Sequence, residues 1–186
     1  DFSFFDYIVK FIRKNYMIFK NSNYYKYMYF VEAQANFNKS KKTIEQAIKK
    51  PGCLEDFHPF CKSNNAITWP GNESIDELIY LNGVKYTRKF YNWTENGYDL
   101  SIGGSKRQST VNWILTGDDY KFLLRVKINF DIIYNIPVIK WLVWNLYIKH
   151  MIQAYINHVV KGFKYYIDTG EKVKSNQFGK HSWFSV

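Results

Sequence analysis

The side chains able to move a proton or hold a polar group of a ligand are few and scattered: His58, Glu77, Arg88, Asn112, Asn145 and His158. Acid–base chemistry needs two such groups converging on one reacting atom, and separation along a chain does not establish convergence. His58, between Phe57 and Pro59, reads first as a hydrogen-bonding residue at a helix end, with a pocket role as the alternative. Glu77, in Ser74-Ile75-Asp76-Glu77-Leu78, sits at a strand start where a solvated carboxylate is the default, and Arg88 reads as one of several exposed bases. Were Glu77 and Arg88 to face inward on neighbouring strands they would pair, and a buried ion pair in an apolar cup would anchor a ligand.

Other chemistry is disfavoured by pattern. Cys61 follows His58 by three residues, but no nucleophile signature surrounds it and a structural thiol is expected. Neither Cys53 nor Cys61 belongs to a CxxC or His/Cys cluster with metal-ligand spacing, so no metal is expected; two cysteines fit a reducing, cytoplasmic setting better than a disulfide scaffold. Gly103-Gly104-Ser105-Lys106-Arg107 falls between strands and lacks phosphate-loop spacing, and no cofactor is expected. The sequons at Asn38, Asn72 and Asn92 are what an Asn-rich chain produces by chance. A formal net charge of +10 favours anionic partners such as acidic lipid headgroups. The bases do not gather on a recognisable nucleic-acid module, so nucleic acid is not an expected partner.

These groups must be positioned by a single domain, the ordinary size for 186 residues. Hydrophobic content of 46% with 23% charged residues excludes a disordered chain. Aromatic residues make up 20%, more than packing requires, so either the core is bulky or a cavity is lined with rings. The longest apolar region, Trp141 to Val160, contains Asn145, Lys149, His150, Gln153, Asn157 and His158, too many polar groups for a membrane span.

Residues 1–25 read as a basic amphipathic helix: Phe4, Phe5, Ile8, Phe11, Ile12 and Phe19 recur at helical intervals among Lys10, Arg13, Lys14 and Lys20. Packing against the domain, adsorption to an anionic membrane and self-association are its possible roles, packing first. From Tyr27 the period becomes two, with Tyr29, Val31, Ala33, Ala35 and Phe37 on one side of a strand. Asn38-Lys39-Ser40 caps a short helix that Pro51-Gly52 stops, and Leu54 to Phe60 forms another turn or two. Residues 64–130 form an antiparallel meander broken at Pro70-Gly71, Asn82-Gly83, Asn96-Gly97 and Gly103-Gly104. Its last strand turns Phe122, Leu124, Val126 and Ile128 inward, because the other parity carries Lys121, Arg125 and Lys127. A long helix from Pro137 to Ile167, stopped at Gly170, covers that face.

A strand, two short helices, a meander and a long C-terminal helix, with Asn38-Lys39-Ser40-Lys41-Lys42-Thr43-Ile44 at the first helix and Leu54-Glu55-Asp56-Phe57-His58-Pro59-Phe60 before the second strand, resemble the SRPBCC superfamily of START-like and polyketide cyclase-like proteins. The resemblance spans about Tyr27 to Gly170. It implies an α+β helix-grip (START-like) fold: a curved antiparallel sheet of about seven strands around the C-terminal helix, with residues 26–170 as the ligand-binding domain and 171–186 as a tail. It further implies a cavity between sheet and helix that takes a hydrophobic small molecule such as a lipid, isoprenoid or polyketide-like compound. The alternative is a cyclase-like enzyme acting on an apolar substrate in the same cavity. Implied walls on the sheet are Trp69, Leu78, Tyr80, Tyr86, Trp113, Phe122 and Leu124; on the helix they are Trp141, Trp144, Ile148 and Tyr155. His58, Glu77 and Arg88 would be its polar groups.

Overall fold

The computed structural model describes residues 29–104, 108–118, 120–132 and 136–186. The expected N-terminal helix of residues 1–25 lies outside them.

The chain is α+β. Seven antiparallel strands form one sheet in the order β1-β7-β6-β5-β4-β3-β2. They are β1 (Phe30–Phe37), β2 (Cys61–Thr68), β3 (Ile75–Tyr80), β4 (Lys85–Thr94), β5 (Gly97–Gly103), β6 (Gln108–Asp118) and β7 (Lys121–Asn129). Helices α1 (Lys41–Lys49) and α2 (Leu54–Phe57) connect β1 to β2. After β7 come α3 (Pro137–Val143), a π-helical turn (Trp144–Ile148) and α4 (Lys149–Thr169).

Local chemistry accounts for these boundaries. The Ser40 hydroxyl caps α1 by accepting from the Thr43 backbone N–H at 3.2 Å, as the Asn-Lys-Ser run predicts. Gly170 ends α4 in the left-handed region at φ 77°, where a side chain would be strained. In β7 the alternation holds: Phe122, Leu124, Val126 and Ile128 are buried and Lys121 and Arg125 are exposed.

The core centre is Phe163 of α4, whose ring meets Phe37, Phe57 and Trp113 at centroid distances of 5.5, 4.9 and 5.9 Å. At the preceding residue, Gly162 lets α2 approach closely: a Cβ there would lie 2.2 Å from the Phe57 carbonyl oxygen. Residues 171–186 do not trail from the domain. They fold back over it, with the Val173 N–H donating to the Asp56 carbonyl at 2.9 Å and Phe184 and His181 buried. Among the described residues no helix is long and apolar enough to cross a membrane.

Candidate functional site

Between the concave face of the sheet, α4 and the C-terminal segment lies a cavity of about 760 Å³. Strand alternation selects its walls. Leu78 and Tyr80 on β3, Tyr86 and Arg88 on β4 and Trp113 on β6 all point inward, and Ile148, Tyr155 and Ile152 close it from the helix side. Six of the eleven expected wall residues are therefore brought together: Leu78, Tyr80, Tyr86, Trp113, Ile148 and Tyr155.

The other five lie elsewhere. Trp69 packs edge-on to Phe90 and Trp93, both at 5.1 Å, and its indole N–H donates to the Lys49 carbonyl at 3.0 Å, which holds it against the end of α1. Phe122 and Leu124 pair in register with Phe37 and Ala35 of β1, at the end of the sheet that the Phe163 cluster fills solidly. Trp141 and Trp144 face a separate cleft of about 380 Å³ beside Tyr29 and Val31, and Trp144 meets Tyr29 edge-on at 5.6 Å. The π turn is the cause: one extra residue in the turn rotates the helix, so that Val143, Tyr147 and Ile148 take the cavity side.

The polar end of the cavity is a connected set. The His58 ring nitrogen Nδ1 accepts the Phe60 backbone N–H at 3.2 Å, which leaves Nε2 to carry the proton and donate to the Tyr155 hydroxyl at 2.9 Å. The Tyr155 and Tyr80 hydroxyls are 3.0 Å apart. Burial, with the Arg88 charge adding to it, pulls His58 down to about 3, so the ring is neutral at ordinary pH. Burial pushes Tyr155 up to about 12 and Tyr80 well above its usual value, so both stay hydroxyls.

Beside this set sits Arg88, and its partner is not Glu77. In the β3–β4 ladder Arg88 stands directly opposite Asp76, while Glu77 stands opposite Thr87. One residue of parity sends Asp76 inward and Glu77 outward, where it pairs with Lys85. The Arg88 Nε–H donates to Asp76 Oδ1 at 2.7 Å and an Nη2–H to Oδ2, with both residues buried. Burial works against the guanidinium charge and Asp76 outweighs it, holding the Arg88 pKa above its ordinary value. Asn64 completes the cluster, accepting from Arg88 Nη2 at 3.4 Å and donating to the Glu77 carbonyl at 3.3 Å.

Asn112 and Asn145 serve structure: they donate to Asp99 at 2.7 Å and to the Trp141 carbonyl at 2.8 Å. His158 stands outside the cavity lining against Phe60 at 5.6 Å. Burial pushes the Cys53 and Cys61 thiols up to about 11 and about 12, so neither is a ready nucleophile. No group able to hold a metal ion occurs among the described residues. Sequence reasoning missed Asp76, Asn64, Val143, Tyr147, Trp183 and Phe184. For Asp76 the signal was present, since it shares strand parity with Leu78 and Tyr80.

No protein-family profile matches the chain and no curated protein matches it. Solved structures do. DynU16, a protein in the dynemicin biosynthetic locus, superposes with a TM-score of 0.60 at 12% identity over 77% of this chain, which spans about half (49%) of DynU16. XoxI from Bacillus cereus gives 0.57 at 14% identity, covering 76% of this chain and 97% of its own. Ara h 8.0201 gives 0.55 at 13% identity over 75% and 97%. At such identities the likeness is one of architecture, and the architecture is the helix-grip fold: a curved antiparallel sheet around a long C-terminal helix.

Proposed function

We propose that the protein binds and carries a hydrophobic small molecule bearing one hydrogen-bonding group, held in the cavity between sheet and α4. The observation that carries this reading is the cavity itself: about 760 Å³, within the usual range for small-molecule sites, apolar on most sides and polar at one place. At that place three donors, the His58 Nε2–H and the Tyr155 and Tyr80 hydroxyls, share two mutual hydrogen bonds. One hydroxyl proton is left over, and it suits a carbonyl or ether oxygen. Asp76 cancels the Arg88 charge, so the head group it favours is neutral and not a carboxylate.

The cyclase-like alternative is less well served. A general acid or base works best with a pKa near the operating pH, whereas His58 is held at about 3 and the tyrosines far above neutrality. A lipid, isoprenoid or polyketide-like ligand all fit the chemistry. Native mass spectrometry of gently purified protein tests the proposal. A retained small molecule, or uptake of an added fatty alcohol at one equivalent, supports it, and no uptake of any apolar compound overturns it.

Exchange at an anionic membrane is a second element of this proposal. Ile136, Ile139, Leu146 and Tyr147 are exposed beside the cavity, next to Lys140 and Lys149, and no acidic residue occurs between Asp131 and Asp168.

A further inference from the structure

We propose that residues 171–186 form a strap that closes the cavity and sets how long a ligand it accepts, with Phe184 as the end wall and Trp183 as the latch. The proposal rests on the ligand-binding reading above.

The strap is built in two parts. Its first part is fastened to the base of the domain. The Val173 N–H donates to the Asp56 carbonyl and the Asn176 N–H to the Pro59 carbonyl, both at 2.9 Å, and Lys172 pairs with Asp56 at 2.8 Å. Its last part enters the site. Phe184 lies flat on Tyr80 at 4.1 Å and on His181 at 5.2 Å, and meets Tyr155 at 4.9 Å. The Phe184 ring thus rests on both hydroxyl-bearing rings of the polar set, and a ligand whose head group lies there meets it as a limit. A segment without helix or strand is ordinarily loose unless something ties it down. This one is 7% exposed at Phe184 and 3% at His181.

Trp183 joins the two sides of the cavity. Its indole N–H donates to the Tyr147 hydroxyl on the π turn at 3.1 Å, and its carbonyl accepts from the Asn82 side-chain amide, in the β3–β4 turn, at 2.7 Å. Both bonds are at the surface, where water replaces a lost partner at small net cost. Opening also parts the Ser185 hydroxyl from Asn176 Oδ1 (2.5 Å) and His181 Nε2 from the Met151 carbonyl (3.0 Å), while the backbone anchors at Val173 and Asn176 and the sheet stay in place. The strap therefore opens without unfolding anything else, and closing it restores a dry apolar wall of Trp183 and Phe184.

The test uses N-phenyl-1-naphthylamine, an uncharged apolar fluorophore, as probe and its displacement by primary alcohols of increasing chain length. Wild type should show a cut-off in chain length. Phe184→Ala should move that cut-off to longer alcohols and release the probe about tenfold faster. Asn82→Asp keeps the acceptor that holds the Val84 N–H at 3.1 Å but loses the donor to Trp183. It should speed release and leave the cut-off where it was. Asn82 is exposed, so this variant folds even where Phe184→Ala does not. A wild-type release rate in Asn82→Asp, or a wild-type cut-off in folded Phe184→Ala, overturns the proposal. If wild type takes up no probe but a chain ending at Lys180 does, the strap is a closed lid and the proposal stands. If neither takes it up, the ligand-binding reading fails and the strap proposal falls with it.

Discussion

Arg88 and Asp76 stand opposite each other across the β3–β4 ladder and meet as a doubly hydrogen-bonded ion pair with almost no exposure to solvent. A pair so buried contributes little net stability, but removing one partner strands the other charge in an apolar setting. Arg88→Met should destabilise the fold by about 3–5 kcal/mol, and Arg88→Met with Asp76→Leu should recover much of that loss. Urea unfolding of the two variants checks this, and equal loss in both would mean that the charges are not coupled.

Stability should also follow the His58 imidazole. Unfolded, the ring takes up a proton near pH 6.5, and in the fold it does so only near 3, so acid favours the unfolded chain. The stabilisation is complete above pH 6.5 and drains away as pH falls toward 3. His158 and His181, both lowered by burial, act in the same direction. The melting temperature should drop steadily from pH 6.5 to 4, and His58→Gln should make that slope shallower. A parallel slope in the variant would assign the effect to other groups.

Tryptophan fluorescence separates the cavity from the neighbouring cleft. Trp113 lines the cavity and Trp144 does not. An apolar ligand should change emission in wild type and in Trp144→Phe, and the change should shrink in Trp113→Phe. The melting temperature should rise with ligand concentration as RT ln(1 + [L]/Kd) requires. A response lost only in Trp144→Phe would place the ligand in the other cleft.

The membrane element is tested by sedimentation with anionic vesicles, and Leu146→Glu in the exposed patch should weaken binding by removing an inserting side chain that is 74% exposed. Deleting Asp1 to Asn21 removes Lys10, Arg13, Lys14 and Lys20, each base being worth about 1 kcal/mol near such a surface. Binding that falls sharply while the melting temperature holds supports a membrane role for this segment. A lowered melting temperature with no vesicle binding in either form supports packing against the domain.

Much of the architecture was legible because alternation and capping are local. The parity of Phe122 to Ile128, the Ser40 cap and the Gly170 stop each follow from a few adjacent residues, and each is present in the structure. The site was legible in part. Arg88 reads first as an exposed base, with inward pairing to Glu77 as the alternative; that it is buried, and that Asp76 is its partner, follow from the strand register, a long-range quantity. Trp141 and Trp144 fit a regular helical stripe, and only the π turn, which no local residue pattern announced, rotates them away. Trp183 and Phe184 reach the cavity from the chain end through a fold-back that no periodicity records.

The bare α-carbon at Gly162 has a bearing on recognition. It faces the Phe57 carbonyl, and Phe57 is the residue before His58. A methyl group there would push that peptide outward and take the imidazole with it, opening the 2.9 Å contact to Tyr155. The spacing of the hydrogen-bonding groups that would greet a ligand is thus calibrated by a hydrogen atom where α4 meets α2, at a position that does not line the cavity.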